Sequence, residues 1–455
     1  MAHIQASQLM VAKDRVSTST SSSCPNIVRL PQELIDAIVD ILASEGCRQA
    51  LCQCLLVSRA FYGRSRRRLF EKISMSELTP KDATKLQDLL QILQNDCLRG
   101  IVPLSLSICS LDLFMLPEYN TSFRHKLPWL TQLDVFPSVL AMLSNLNTFK
   151  LHFATNGNWL LINKAIRNGF IKVLHSSSLT SLSLACIINF PADLFEQFQN
   201  LRSLCLFSVH FTFPGAALTT GHTSGTTADR TWYLRGLLDL ENLDCKHSNL
   251  FIKSGHSSKG LFSRLKSLTL SDYDSDIFPR DYAIPSMESF TLYDLIGYID
   301  TTDDDVSSLE VHCLHRYTAL QQLTLGFRFS PKKPPTGVLV QLSSIAEPTT
   351  IRILELKFET WESMTRRSEE QFFPDCNTTW DHVDNFLTAS KAFPSLNKVV
   401  LLFHWRYHKG ENDGDAPLAR LRAYLERVLP KLTGSQKIAL EVEYTEVLGK
   451  LFASD

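Results

Sequence analysis

The sequence predicts an α/β protein: three short helices near the N-terminus, then an irregular solenoid-like array of strand-plus-helix units whose strands form a parallel sheet. Three observations predict this. Apolar residues recur at helical spacing between residues 27 and 73. An aliphatic-x-x-aliphatic-x-aliphatic phrase then recurs through the rest of the chain. Helical stretches fall between its copies. With 455 residues, 44% hydrophobic and 20% charged, the chain is long enough to bury a large core and too apolar to be disordered.

Residues 1–26 end in a Ser/Thr run at 17–23 closed by Pro25, and read as a disordered tail. Composition then changes. Leu30-Pro31-Gln32-Glu33 opens a helix, because Pro31 suits the first helical position and Glu33 the positive end of the dipole. Leu34, Ile38, Ile41 and Leu42 recur at helical spacing, and Glu45-Gly46 ends the run. A second helix carries Leu51, Cys54 and Leu55. A third starts near Ser58, a good N-cap, and runs through Phe61 to Leu69-Phe70. Residues 27–73 therefore form a three-helix unit. It holds more apolar side chains than one small core can hide, which points to a partner surface.

The residues of this unit resemble an F-box. The resemblance rests on Leu30-Pro31-Gln32-Glu33, the aliphatic Ile38, then Leu55-Leu56-Val57-Ser58-Arg59-Ala60-Phe61, and a closing Arg68-Leu69-Phe70. Phe61 stands where the family often has Trp, and the connection at 45–49 is slightly long. The Leu-Val-Ser-Arg-Ala-Phe form resembles the F-box-like proteins abundant in mushroom-forming fungi.

Residues 74–100 make a helical connector, with Leu86, Leu89, Leu90 and Leu93 on a helix over 80–93. The array occupies 101–455. Its phrase appears at Ile101/Leu104/Leu106, Leu146/Phe149/Leu151, Leu179/Leu182/Leu184, Leu201/Leu204/Leu206, Leu265/Leu268/Leu270, Met287/Phe290/Leu292, Leu320/Leu323/Leu325, Ile351/Leu354/Leu356 and Leu396/Val399/Leu401. A weaker copy is Leu240/Leu243/Cys245. Copies start 22 residues apart at the closest (Leu179 to Leu201) and 45 at the widest (Ile351 to Leu396). The last two aliphatics alternate as in a strand with one buried face, and the first sits on the turn into it. Helical stretches lie at 137–143, 191–198, 306–317 and 381–392. A single unit buries little, so stacking must supply the core. The phrase resembles a degenerate leucine-rich repeat in which the Asn/Cys ladder position is mostly missing. A doubly wound α/β fold alternates strands and helices too; the recurring phrase favours the array. Insertions at 211–231 and 361–380 interrupt it. A helix over 418–429 and a strand over 438–442 close it.

Charge and motifs exclude several functions. Forty-six Lys+Arg against 47 Asp+Glu leave a net charge of -1, without the basic field of a nucleic-acid or membrane-surface binder. No apolar run approaches the roughly 18 residues of a membrane span. Eleven cysteines, odd in number and dispersed, read as reduced thiols of a cytoplasmic or nuclear protein, so the sequons at Asn120 and Asn377 carry no weight. Phosphate-cradling glycine loops, His-Glu-x-x-His and Gly-x-Ser-x-Gly are absent. His312, Cys313 and His315 lack the two further ligands a zinc site needs. Asp303-Asp304-Asp305 reads as acids at a helix start, and Asp413-Gly414-Asp415 as a turn. Cys47, Cys52 and Cys54 read as small core residues, His404 and His408 as surface residues, and Arg64, Arg66, Arg67 and Arg68 as a solvated helix face.

The resemblance implies an interaction protein rather than an enzyme, with no cofactor and no metal: the substrate-recognition subunit of an SCF-type cullin-RING ubiquitin ligase. Its F-box would dock on a Skp-family adaptor, and through it on cullin. Leu30, Pro31, Leu34, Ile38 and Leu42 would be the first anchors, with Leu55, Val57, Phe61 and Leu69 as the second cluster. The array would hold the target protein. The alternative is a non-degradative scaffold built from the same parts.

Overall fold

A computed structural model describes residues 30–78, 83–98, 103–115, 135–212, 239–248, 262–271, 284–296, 314, 317–328, 336–343, 345, 348–364, 378–389, 391–407 and 416–446. The predicted tail, the helix over 306–317 apart from Leu314 and Tyr317, and most of both insertions (213–231 and 365–377) lie outside them. The chain divides into two compact units, Met1–Leu69 and Phe70–Asp455.

In the first unit, helix α1 (Gln32–Ser44) begins one residue later than the sequence suggests, with Pro31 as N-cap and its carbonyl accepting from the Leu34 and Ile35 N–H groups. Its end is fully built. Gly46 turns left-handed at φ 71°, its N–H donates to Ala43 O, and the Cys47 N–H reaches back to Leu42 O. These paired bonds satisfy carbonyls that the helix end would otherwise orphan. Helices α2 (Arg48–Val57) and α3 (Arg59–Phe70) follow. Ile35, Val39, Leu51, Ser65 and Leu69 are buried. The small Ser65 lies fully buried, and its hydroxyl finds no hydrogen-bond partner.

Among its described residues, the second unit is a parallel sheet of twelve strands whose order in space is their order in the chain. They are β1 (Lys72–Leu78), β2 (Ser110–Met115), β3 (Thr148–Asn158), β4 (Ser181–Pro191), β5 (Ser203–Thr212), β6 (Asn242–Lys246), β7 (Ser267–Ser271), β8 (Ser289–Ile296), β9 (Gln322–Arg328), β10 (Ile353–Met364), β11 (Lys398–Tyr407) and β12 (Ala439–Glu446). The order never reverses among the described strands, whereas a doubly wound sheet reverses at a switch point. Between strands lie α4 (Ala83–Leu98), α5 (Val135–Met142), α6 (Lys164–Leu174), α7 (Thr336–Ser343), α8 (Thr378–Ala389), α9 (Ala416–Val428) and α10 (Pro430–Thr433).

The register shows what the repeated phrase does. Ile73, Leu111, Phe149, Leu182, Leu204 and Leu243 stand in one row, which continues through Leu268, Phe290, Leu323, Leu354, Val399 and Leu440. A second row, two residues on, runs from Met75 through Leu151, Leu184 and Leu325 to Val442. Both rows and the buried apolar residues of α4 to α10 belong to, or pack against, one apolar cluster. The leading aliphatics, such as Leu179, Leu240 and Ile351, are buried at the turn into each strand. From Glu71 to Arg352, one carbonyl ahead of each strand accepts two successive N–H groups from the next unit. Asn147 O, for example, takes Thr180 N and Ser181 N, both at 2.9 Å. Side chains satisfy further turn carbonyls: Ser178 Oγ donates to Leu146 O at 2.7 Å and Thr350 Oγ1 to Leu320 O at 2.6 Å. The sixth residue of β4 and of β5 (Cys186, Ser208), and His247 just after β6, turn left-handed at φ 53–55°. In β4 and β5 that bulge advances the next inward side chain by three residues instead of two, to Ile187 and Val209. Ser248, at the ladder position, accepts from Val209 N at 3.0 Å.

Several expectations are corrected. Leu104–Leu106 is a 3-10 turn after Pro103, with Leu106 exposed. The strand lies further on, where Ile108, Leu111 and Leu113 repeat the phrase and are buried. The first strand, β1, occupies the end of the expected three-helix unit and the start of the expected connector, with Phe70, Ile73 and Met75 as its phrase. The stretch at 191–198 is a 3-10 segment, Ala192–Gln197, rather than an α-helix. Helix α6 was not expected. Asn163 caps it through Oδ1 to Ala165 N at 2.8 Å, and Gly169 brings it against α5, where a Cβ would meet Leu140 Cδ1 at 3.0 Å.

Candidate functional site

Two apolar stripes run along α1, one residue apart. Ile35 and Val39 turn inward. Leu34, Ile38 and Ile41, at spacings of four and three, share the neighbouring face and stay 41–56% exposed. Leu30, just ahead of the helix, is 47% exposed, and Pro31 is exposed as well. At the junction of α2 and α3, Leu56, Val57 and Tyr62 are also exposed. Single exposed leucines are ordinary, but a continuous row on a unit this small is not.

Helix α3 holds α1 in place. Gln32 Nε2 donates to Ala60 O at 3.1 Å, and Arg68 Nε to Asp40 Oδ1 at 2.8 Å. Both bonds span 28 residues, so the two helices run side by side in the same sense. The start of α1 therefore lies at the α2–α3 junction, at the same end of the unit as Val57 and Tyr62. Arg64 clasps both Asp40 oxygens, Nε to Oδ1 at 2.9 Å and Nη2 to Oδ2 at 2.6 Å. Arg64 and Arg68 are thus turned onto α1 rather than left as a solvated face. Their hydrogen bonds, Arg64 first, hold the Asp40 carboxyl well below the usual carboxylate range. A depressed folded value means that the clasp stabilises the unit above the unfolded pKa of about 4 and is lost as pH falls further. All three side chains are about a third exposed, so salt screens the effect. Asp40→Asn is expected to lower the melting temperature at pH 7 and to converge with wild type in strong acid. Equal differences at both pH values would refute the clasp.

Of the sequence-predicted anchors, Leu30, Pro31, Leu34, Ile38 and Val57 are exposed. Leu42, Leu55 and Phe61 are half-buried, and Leu69 is buried, so Leu69 is part of the folded interior and not a surface contact. The sequence reasoning missed Ile41, Leu56 and Tyr62 as surface residues; Ile41 carried the signal, falling three residues after Ile38.

The sheet face opposite the apolar rows carries polar side chains. Lys246 Nζ sits 4.0 Å from the Tyr293 ring centroid, and Lys357 Nζ 4.9 Å from it. Gly326 makes room for that ring: a Cβ there would meet Tyr293 Cδ1 at 2.6 Å. Glu355 accepts from Gln322 and Thr324 at 3.0 and 2.8 Å, and Lys357 pairs with Glu359 at 2.7 Å. His152 meets Ser183 Oγ at 2.9 Å. Burial holds His152 below the ordinary histidine range, and burial followed by Lys357 does the same to His404. His404 is half-buried on β11 rather than a plain surface residue. Burial, then the Asp244 carboxylate, pushes the Cys205 thiol up, away from the reactive thiolate. Gln322 and Thr324 reach Glu355, and His152 reaches Ser183, across adjacent strands, while Lys357 and Glu359 pair along β10, so this polar face is tied together by its own side chains.

Among the described residues, no group of three His, Cys, Asp or Glu side chains gathers to hold a metal ion. His312, Cys313, His315, Asp303-Asp304-Asp305, Asp413, Asp415 and His408 lie outside them, as do Asn120 and Asn377. Cys52 is exposed and Cys47 and Cys54 are half-exposed, so the three are not core residues. No described helix is long and apolar enough to cross a membrane. Compared with known proteins, the chain matches no family model and no curated protein.

Proposed function

We propose that this chain is the substrate-recognition subunit of an SCF-type cullin-RING ubiquitin ligase, not itself an enzyme. The helical unit acts as an F-box and docks on a Skp-family adaptor. The strand-plus-helix units act as a leucine-rich-repeat-like array that holds the target protein near a ubiquitin-charged conjugating enzyme supplied in trans. The contribution of the chain is then effective concentration, not side-chain chemistry.

The observation that carries the reading is the exposed row Leu30, Leu34, Ile38 and Ile41, with Ile35 and Val39 filling the core beside it. A helix that keeps its apolar core and still presents a second apolar stripe is built to meet a partner. The unreversed strand order and the polar sheet face support the array half of the reading.

Co-expression with a Skp-family adaptor and size-exclusion co-elution tests it. Leu34→Ala/Ile38→Ala should weaken co-elution roughly tenfold or more without disturbing the fold, because both side chains are exposed. A folded wild type that never co-elutes would remove the adaptor reading. Co-purification of cullin separates the ligase from a non-degradative scaffold.

A further inference from the structure

The last strand of the sheet, β12, pairs with β11 alone among the described residues. Its inward side chains are less covered than those before it. Leu440 and Val442 are half-buried, whereas Val399 and Leu401 beside them on β11 are at most 1% exposed. A groove of about 530 Å³ lies against this strand, between Leu425 and Glu426 of α9 and Leu440, Glu441, Val442 and Glu443 of β12. Arg422 and Glu426 of α9 flank it, while the exposed Glu441 and Glu443 alternate onto the opposite face of the strand. Glu441 also meets Lys398 of β11 at 2.8 Å and keeps half its side chain exposed.

An open strand edge is a template for another strand. A second copy paired about the middle of this edge fits it poorly. Antiparallel pairing centred on Val442 sets Glu441 opposite Glu443 of the copy on the same face. Shifting the centre to Glu443 sets that residue opposite itself. Like charges directly opposite destabilise a strand pair, and a one-residue slip turns the apolar side chains outward. The same carboxylates suit a basic occupant.

We infer that β12 is a docking edge for an extended segment of a partner protein in which basic and apolar residues alternate, added to the sheet as a further strand. Main-chain bonds to β12 give the affinity. The apolar side chains of the segment enter the groove against Leu425, Leu440 and Val442. Its Lys or Arg side chains face Glu441 and Glu443 on the other side of the sheet. This holds whether or not the helical unit docks on an adaptor.

The test uses the full chain and two fluorescein-labelled nonapeptides, one alternating Lys with Val and one alternating Glu with Val. Anisotropy should show the Lys peptide binding at least tenfold more tightly than the Glu peptide. Hydrogen exchange should show the amides of residues 439–446 gaining protection when it binds. Glu441→Lys/Glu443→Lys, at two exposed positions, should reverse the preference while leaving the circular dichroism unchanged. Binding without protection of 439–446, no binding at about 1 mM peptide, or sedimentation showing that copies associate through β12 would each overturn the proposal.

Discussion

Replacing Phe358 by Ala is expected to destabilise the sheet unit by about 3 to 5 kcal/mol, the largest single loss of any substitution considered. Phe358 is fully buried on β10 and stands in register between Phe327 on β9 and Phe403 on β11. Its ring stacks on theirs at centroid distances of 5.9 and 5.0 Å, with interplanar angles of 22° and 15°. Trp380 of α8 closes a third side at 6.0 Å. Truncation leaves a cavity between three aromatic neighbours that are fixed by their own strands and helix, so the site collapses poorly. It also removes ring pairs worth roughly 0.5 to 1.5 kcal/mol each beyond their area. Phe358→Leu should recover much of the loss. Thermal unfolding followed by circular dichroism checks this. A fall no larger than that of an exposed substitution would show that the stack contributes little.

The second large effect belongs to Asp384. It is 2% exposed on α8, and its two carboxylate oxygens accept from Lys431 N at 2.9 Å and Leu432 N at 2.8 Å. These are N–H groups of the first turn of α10, which has no intrahelical acceptor for them. Asp384→Ala removes the cap and strands buried donors, at a cost of roughly 2 to 4 kcal/mol. Asp384→Asn keeps one acceptor oxygen and should lose about half as much. The damage should be local: amides of 430–446 lose exchange protection, and those of β3 to β5 keep theirs. Unchanged protection in 430–446 would refute the role.

These two residues differ in how visible they are in the sequence. Phe358 follows Leu354 and Leu356 in the repeated phrase, so its inward direction is legible from alternation alone. Asp384 meets its partners across 47 and 48 residues, and no local pattern announces a buried carboxylate aimed at another helix. Strand β1 hid for another reason. Its phrase is spelled Phe70, Ile73 and Met75 and starts inside a helix, so the aliphatic template passes over it. Helix α6 hid behind Gly169, whose low helix propensity reflects close packing on α5 rather than a chain break. On α1 the periodicity was plain but not its direction. Two apolar stripes lie one residue apart, and only packing decides that Ile35 and Val39 go in while Leu34 and Ile38 stay out. The Asp40 clasp has the same character, since an arginine run reads as solvated until a carboxylate on another helix claims it.

Because each strand bonds only to its neighbours in the chain, the sheet unit is close to one-dimensional in its energetics: a sum of terms for each unit and for each interface between adjacent units. Order is then lost first from the ends of the described sheet, where a strand has a single described neighbour. The same geometry shapes assembly. The ribosome delivers the strands in the order in which they pair, so β1 and β2 can join long before β12 exists, and each new strand finds its template already made. Few pairings must wait for a distant partner, which keeps a parallel sheet, ordinarily slow to form, within reach of local closure.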